Sequence, residues 1–166
     1  MGVEDALFTT AEMAVGVAGF SAIVAAFTGR GPLTVTDRRR FVWLFTCSFA
    51  AALLAFVPVL LREASLSGPD LWRYSSASMS LVWVVAAAAW VFGEVRQNRS
   101  GSAEAKGFWQ GPAALVPSFL NFLLQLSNTF GLFWEPSAAA YIGGTLFWLY
   151  AAALPFMSIV LERPDV

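Results

Sequence analysis

Five long apolar blocks, with short polar breaks between them, restrict this chain more than any other feature of its sequence. The blocks lie near residues 8–28, 40–61, 74–95, 112–132 and 138–161. A bilayer's hydrocarbon core is about 30 Å thick, and a helix rising about 1.5 Å per residue crosses it in about 20 residues. Each block meets that length. Hydrocarbon offers no partner to a backbone amide or carbonyl, so a crossing segment must pair its polar groups internally, as a helix does. The expected fold is an all-α polytopic membrane bundle of five transmembrane helices, with residues 1–166 forming a single integral membrane domain with short loops. The first block is the weakest of the five, because it is rich in alanine and glycine and carries Glu12. Four spans, with the first segment lying in the interface, is the alternative.

The breaks are explicit. "TGRGPLTVTD" closes the first block with Gly29, Gly31 and Pro32, and Asp37 is placed to cap the second helix. "REASLSGPD" separates the second from the third, "RQNRSGSAEAKG" is the longest polar linker, and Gly111-Pro112 opens the fourth. "FWEPS" is so short that the fourth and fifth helices must form a tight antiparallel hairpin. The amino terminus, "MGVEDALFTTAEM", lacks the basic start of a cleavable signal, so the first apolar segment is expected to be retained.

Basic residues set the expected orientation. Arg62 and Arg73 fall on the side shared by the amino terminus and the 62–73 and 133–137 loops. Arg30, Arg38, Arg39, Arg40, Arg96, Arg99, Lys106 and Arg163 fall on the other. Basic loops stay cytoplasmic, which places the amino terminus outside and the carboxyl terminus inside. Arginine outnumbers lysine nine to one and alanine is abundant, a bias of GC-rich bacterial genomes. The expected location is a bacterial inner (cytoplasmic) membrane. Trp43, Trp72, Trp109 and Trp134, near block ends, suit interfacial belts.

One block breaks the apolar pattern. In "VPSFLNFLLQLSNTF", residues 116–130, Ser118, Asn121, Gln125, Asn128 and Thr129 fall within roughly a third of the circumference at about 100° per residue. Phe119, Leu123, Leu126 and Phe130 occupy the other side. An amide facing lipid has no partner and is costly there, so this stripe must meet protein or water. It is either glue between helices or the lining of a solute path. Pro117 opens a related question. If the fourth helix starts near residue 112, Pro117 frees the Ala113 carbonyl; if it starts at Pro117, nothing is freed.

In the first block, Ala11, Ala14, Ala18, Ala22 and Ala25 share one face and Met13, Val17, Phe20 and Val24 the other. The small face predicts close packing against a neighbour or a symmetry mate. Glu12 borders it and is a candidate functional group, with reach to the outer headgroups as its plain role. Arg38, Arg39 and Arg40 are expected to anchor the second helix to anionic headgroups or to form a charged mouth. Ser76, Ser80, Trp83, Ala87 and Trp90 on the third helix, and Tyr141, Gly144, Thr145, Trp148 and Ser158 on the fifth, read as packing faces, with Gly144 allowing close approach to the fourth helix in the hairpin.

Residues that are missing narrow the function. There is no histidine, so a serine–histidine relay, a histidine-ligated haem and an ordinary catalytic zinc site are all excluded. Cys47 is the single cysteine, which excludes a Cys-x-x-Cys thiol exchanger and an internal disulfide. The reading is a protein that is not an enzyme and uses no cofactor, no metal and no nucleic acid. Its partners are the lipid bilayer and either further copies of itself or another membrane subunit. The leading function is a homo-oligomeric channel or small-solute permeation protein; the alternative is an accessory, scaffold or sensor subunit whose polar face associates helices.

Overall fold

In a computed structural model the chain forms five α-helices: α1 (Val3–Thr28), α2 (Val35–Glu63), α3 (Gly68–Arg99), α4 (Pro112–Phe130) and α5 (Ala138–Leu161). The structure describes residues 2–28, 35–99 and 112–161, without the side chains of 24–28, 35–36, 94, 96–99, 112–114 and 158–161. Arg30, Lys106, Trp109 and Arg163 of the charge and belt arguments lie outside these, as do the side chains of Val24, Ala25, Arg96, Arg99 and Ser158.

Local chemistry explains the helix ends. The Gly2 amide donates to the Asp5 carboxylate at 2.7 Å, and Glu4 and Asp5 fill the first turn of α1, where the helix dipole favours acids. Asp37 lies inside the first turn of α2, with its carboxylate 3.8 Å from the Arg40 guanidinium. Ser65, at φ 69°, takes the left-handed position that usually goes to glycine, and the Leu66 amide closes α2 on the Leu61 carbonyl at 3.1 Å. Gly131, at φ 64°, does the same for α4, with the Leu132 amide on the Ser127 carbonyl at 3.1 Å. The short loop that follows brings α5 back antiparallel against α4, as the turn length required.

α5 is the hub of the bundle. It packs against α1, α2, α3 and α4, while α2 also packs on α1 and α3, and α3 on α4. Small residues make these approaches possible. Ala51, Ala55 and Ala152 are fully or almost fully buried, together with Cys47, Leu54, Met79 and Tyr141. α1 turns Ala11, Ala14, Ala18 and Ser21 inward and leaves Met13 and Phe20 outside, as its pattern predicted. Ala22 is exposed and Val17 is partly buried against the core, so the buried stripe is rotated slightly from the all-alanine face. The helix sits at the edge of the bundle, against α2 and α5.

α1, α2, α3 and α5 are long and apolar enough to cross a membrane, and many of their large apolar side chains face outward. Among the described residues α4 does not reach that standard. α1, the block read as weakest from the sequence, is one of the four. α4, 19 residues long, carries the whole amide stripe.

Candidate functional site

The polar stripe of α4 points into the bundle, between α3 and α5. Asn121, Gln125 and Asn128 are all more than nine-tenths buried, and Asn128 is wholly so. Phe119, Leu123 and Phe130, on the opposite side, are exposed. The face read from the 3.6-residue period is the buried face.

Each amide has a defined task. Asn128 sits where the α4–α5 turn closes. Its Nδ2 donates to Ser76 Oγ on α3 at 2.8 Å and to the Ser137 carbonyl at 3.2 Å. Its Oδ1 accepts from the Ser137 amide at 2.9 Å. One side chain thus ties α3 to α4 and holds the residue preceding α5 by both its backbone groups. One face higher, Gln125 Nε2 donates to the Ala140 carbonyl at 2.9 Å, with Asn121 Oδ1 at 3.5 Å. Ala140 already accepts the helical bond of Gly144, so its carbonyl uses both lone pairs.

Gly144 makes this approach possible. A Cβ at that position would overlap Gln125 Nε2 and Met79 Sδ and lie 2.9 Å from Gln125 Cδ. The close approach of the fourth and fifth helices expected at Gly144 is present, and α3 joins it through Met79.

Ser118 and Thr129 take lesser parts. Trp83 on α3 donates its indole N–H to Ser118 Oγ at 2.8 Å and stacks on Phe122, with ring centroids 4.3 Å apart. Thr129 donates to its own helix, at the Gln125 carbonyl, 2.8 Å away. Pro117 lies within α4, so the Ala113 carbonyl is one that it cannot serve. Beside Ser118 opens an aromatic cavity of about 300 Å³, lined by Trp43, Trp83, Trp90, Phe147 and Trp148.

The charged candidates stand apart from this core and from one another. Arg38 is exposed, Arg39 is half-buried and Arg40 is buried, so the three do not form one open cluster. Glu12 is exposed on the outer face of α1. About 24 Å of helix rise separates it from the end of α1 that leads to α2, so Glu12 lies far along the bundle from the arginines.

Two features escaped the sequence reading. Tyr141, wholly buried on α5, donates its hydroxyl to the Leu54 carbonyl at 2.5 Å. That carbonyl lacks its helical donor because residue 58 is proline. A proline late in a membrane helix was the available signal; the tyrosine that answers it is 87 residues away in the chain. Ser127, next to the stripe and buried, gave no signal because it interrupts the apolar side.

Chemically, the α3–α4–α5 core offers neutral amides, hydroxyls and indoles. The Nδ2 of Asn121, Oε1 of Gln125 and Oγ of Ser80 are buried without a hydrogen-bond partner. No carboxylate, ammonium or guanidinium group hydrogen-bonds to the stripe among the described residues. These bonds lock α3, α4 and α5 together. Comparison with models of known protein families, with curated proteins and with solved structures finds no match to the chain.

Proposed function

We propose that this is a non-enzymatic, multi-pass protein of a bacterial inner membrane that serves as an accessory or scaffold subunit. Its arginine-rich side faces the cytoplasm in this reading, following the placement of its basic residues. All five helices cross. α4 spans about 28 Å at its length, nearly the thickness of the hydrocarbon core, and the amides of Gln125 and Asn128 can enter that core because Ala140, Ser76 and Ser137 take up hydrogen bonds from them.

One observation carries the choice of accessory subunit over channel. The amides of Gln125 and Asn128 are bound to the Ala140 carbonyl, Ser76 and both backbone groups of Ser137, within the same chain. Side chains so engaged build a rigid body, and the surfaces left for partners lie elsewhere. Permeation by a homo-oligomer is the second reading. The unpartnered groups of Asn121, Gln125 and Ser80 favour it, because they are places where a water or a small solute could bind.

Liposome reconstitution separates the two. For the accessory reading, purified protein gives no flux of monovalent ions or glycerol above protein-free vesicles. Asn121→Leu combined with Gln125→Leu then lowers stability in detergent. Flux that this double substitution abolishes, with stability intact, establishes the permeation reading instead.

A further inference from the structure

The outer face of α1 carries a carboxylate that pairs with nothing among the described residues. Glu12, Gly16, Gly19 and Ile23 recur at spacings of four, three and four residues, which puts them on one line along the helix. All four are exposed, and a Cβ placed on either glycine meets nothing within 4 Å. Among the described residues no side chain or amide bonds to the Glu12 carboxylate.

The depth of Glu12 follows from the rim of the bundle. At the amino-terminal end of α1, Glu4 pairs with Arg62 at the end of α2, and Arg73 pairs with Asp70 nearby at 3.1 Å. That belt of ion pairs marks the polar boundary. Glu12 lies eight residues along the helix from Glu4, about 12 Å below the belt. A glutamate side chain spans only part of that distance. In the membrane setting of the accessory reading, on which this inference rests, Glu12 therefore enters the hydrocarbon on a lipid-facing side, where an ionised group is strongly unfavourable without protein cover.

We infer that the Glu12–Gly16–Gly19 face of α1 docks a transmembrane helix of a different membrane protein, which presents a lysine or arginine at the level of Glu12. Charge complementarity chooses this occupant over a second copy. Every lysine and arginine of this chain lies, in sequence, outside the five apolar blocks or at their very ends. A second copy in the same membrane orientation would set carboxylate against carboxylate at this depth. The two glycines supply the other requirement, a flat surface on which a foreign helix can approach closely enough to gain van der Waals contact.

The test uses full-length protein, donor-labelled at Cys47→Ser plus a cysteine introduced in the α4–α5 loop, in phosphatidylcholine liposomes. The acceptors are synthetic apolar helices of about 21 residues, one with a single arginine about 12 Å from its outer end and one with leucine there. Energy transfer to the arginine helix should saturate at a peptide density about tenfold lower than to the leucine helix. Glu12→Gln should remove that preference. Gly16→Leu with Gly19→Leu should weaken binding of both helices. Equal transfer to both peptides, or a preference that survives Glu12→Gln, overturns the inference. So does transfer between differently labelled copies of the protein that depends on Glu12 and excludes the peptide, because the occupant is then a second copy. Solute flux in the same vesicles counts against the accessory reading alone, so the two failures are distinguishable.

Discussion

Gly144→Ala probes the tightest point of the α3–α4–α5 core. The new methyl group must push Gln125 Nε2 and Met79 Sδ back by about 1 Å to reach an ordinary contact of about 3.5 Å. Met79 can adjust by rotating its thioether. Gln125 cannot retreat without lengthening its 2.9 Å bond to the Ala140 carbonyl beyond hydrogen-bond range. Overfilling a packed core costs roughly 1–3 kcal/mol, and the lost bond about 0.6 kcal/mol in a membrane bundle. Alanine's helix preference over glycine returns up to about 1 kcal/mol. The expected net effect is a loss of about 1–2 kcal/mol. Cys47, the single cysteine and wholly buried, provides the readout: its alkylation during a titration with sodium dodecyl sulfate in mixed micelles reports unfolding. Gln125→Ala added to Gly144→Ala removes one of the two obstructing groups, so the combined loss should fall short of the sum by about 1 kcal/mol. A Gly144→Ala protein as stable as wild type, or two losses that simply add, would refute this packing argument.

Three further outcomes follow from the same core and its rim. Asn128→Leu removes three hydrogen bonds and should cost about 2 kcal/mol at the modest strength such bonds have in membrane bundles, with Ser76→Ala costing less than half of that in the same titration. Tyr141→Phe leaves the Leu54 carbonyl without its donor and should cost about 1 kcal/mol; in a Pro58→Ala background, where the helical amide is restored, the same change should cost measurably less. Glu4→Gln breaks a pair whose side chains are both about half exposed, and solvent screening should hold its effect below about 0.5 kcal/mol.

Much of the polar core was legible before any coordinates. Asn121, Gln125 and Asn128 share a face by period alone, and a face of amides in an apolar helix has to be covered. Gly144 stood out for the same kind of reason, as a small residue in a hairpin too tight for a larger one. The identity of the covering groups was not legible. Ser137 is close in sequence, yet its double bond to Asn128 depends on the path of the turn after Gly131. Ser76 reaches Asn128 only because α3 lies alongside, which no local pattern states. Hydropathy scores a segment alone and takes no account of the bonds that Gln125 and Asn128 make to Ala140, Ser76 and Ser137.

The chain's own residues determined that it is helical, how many helices it forms, where each one stops, and which side of each is small, polar or greasy. These properties arise from interactions within a few residues, so they are written in consecutive positions. Tertiary structure alone decided that α5 is the hub, that the amides of α4 bind backbone and serine within the chain, that Tyr141 serves the carbonyl released by Pro58, and that Glu12 is left facing outward. Those outcomes depend on which helix lies beside which, and that choice is made by the fit of whole surfaces far apart in the sequence.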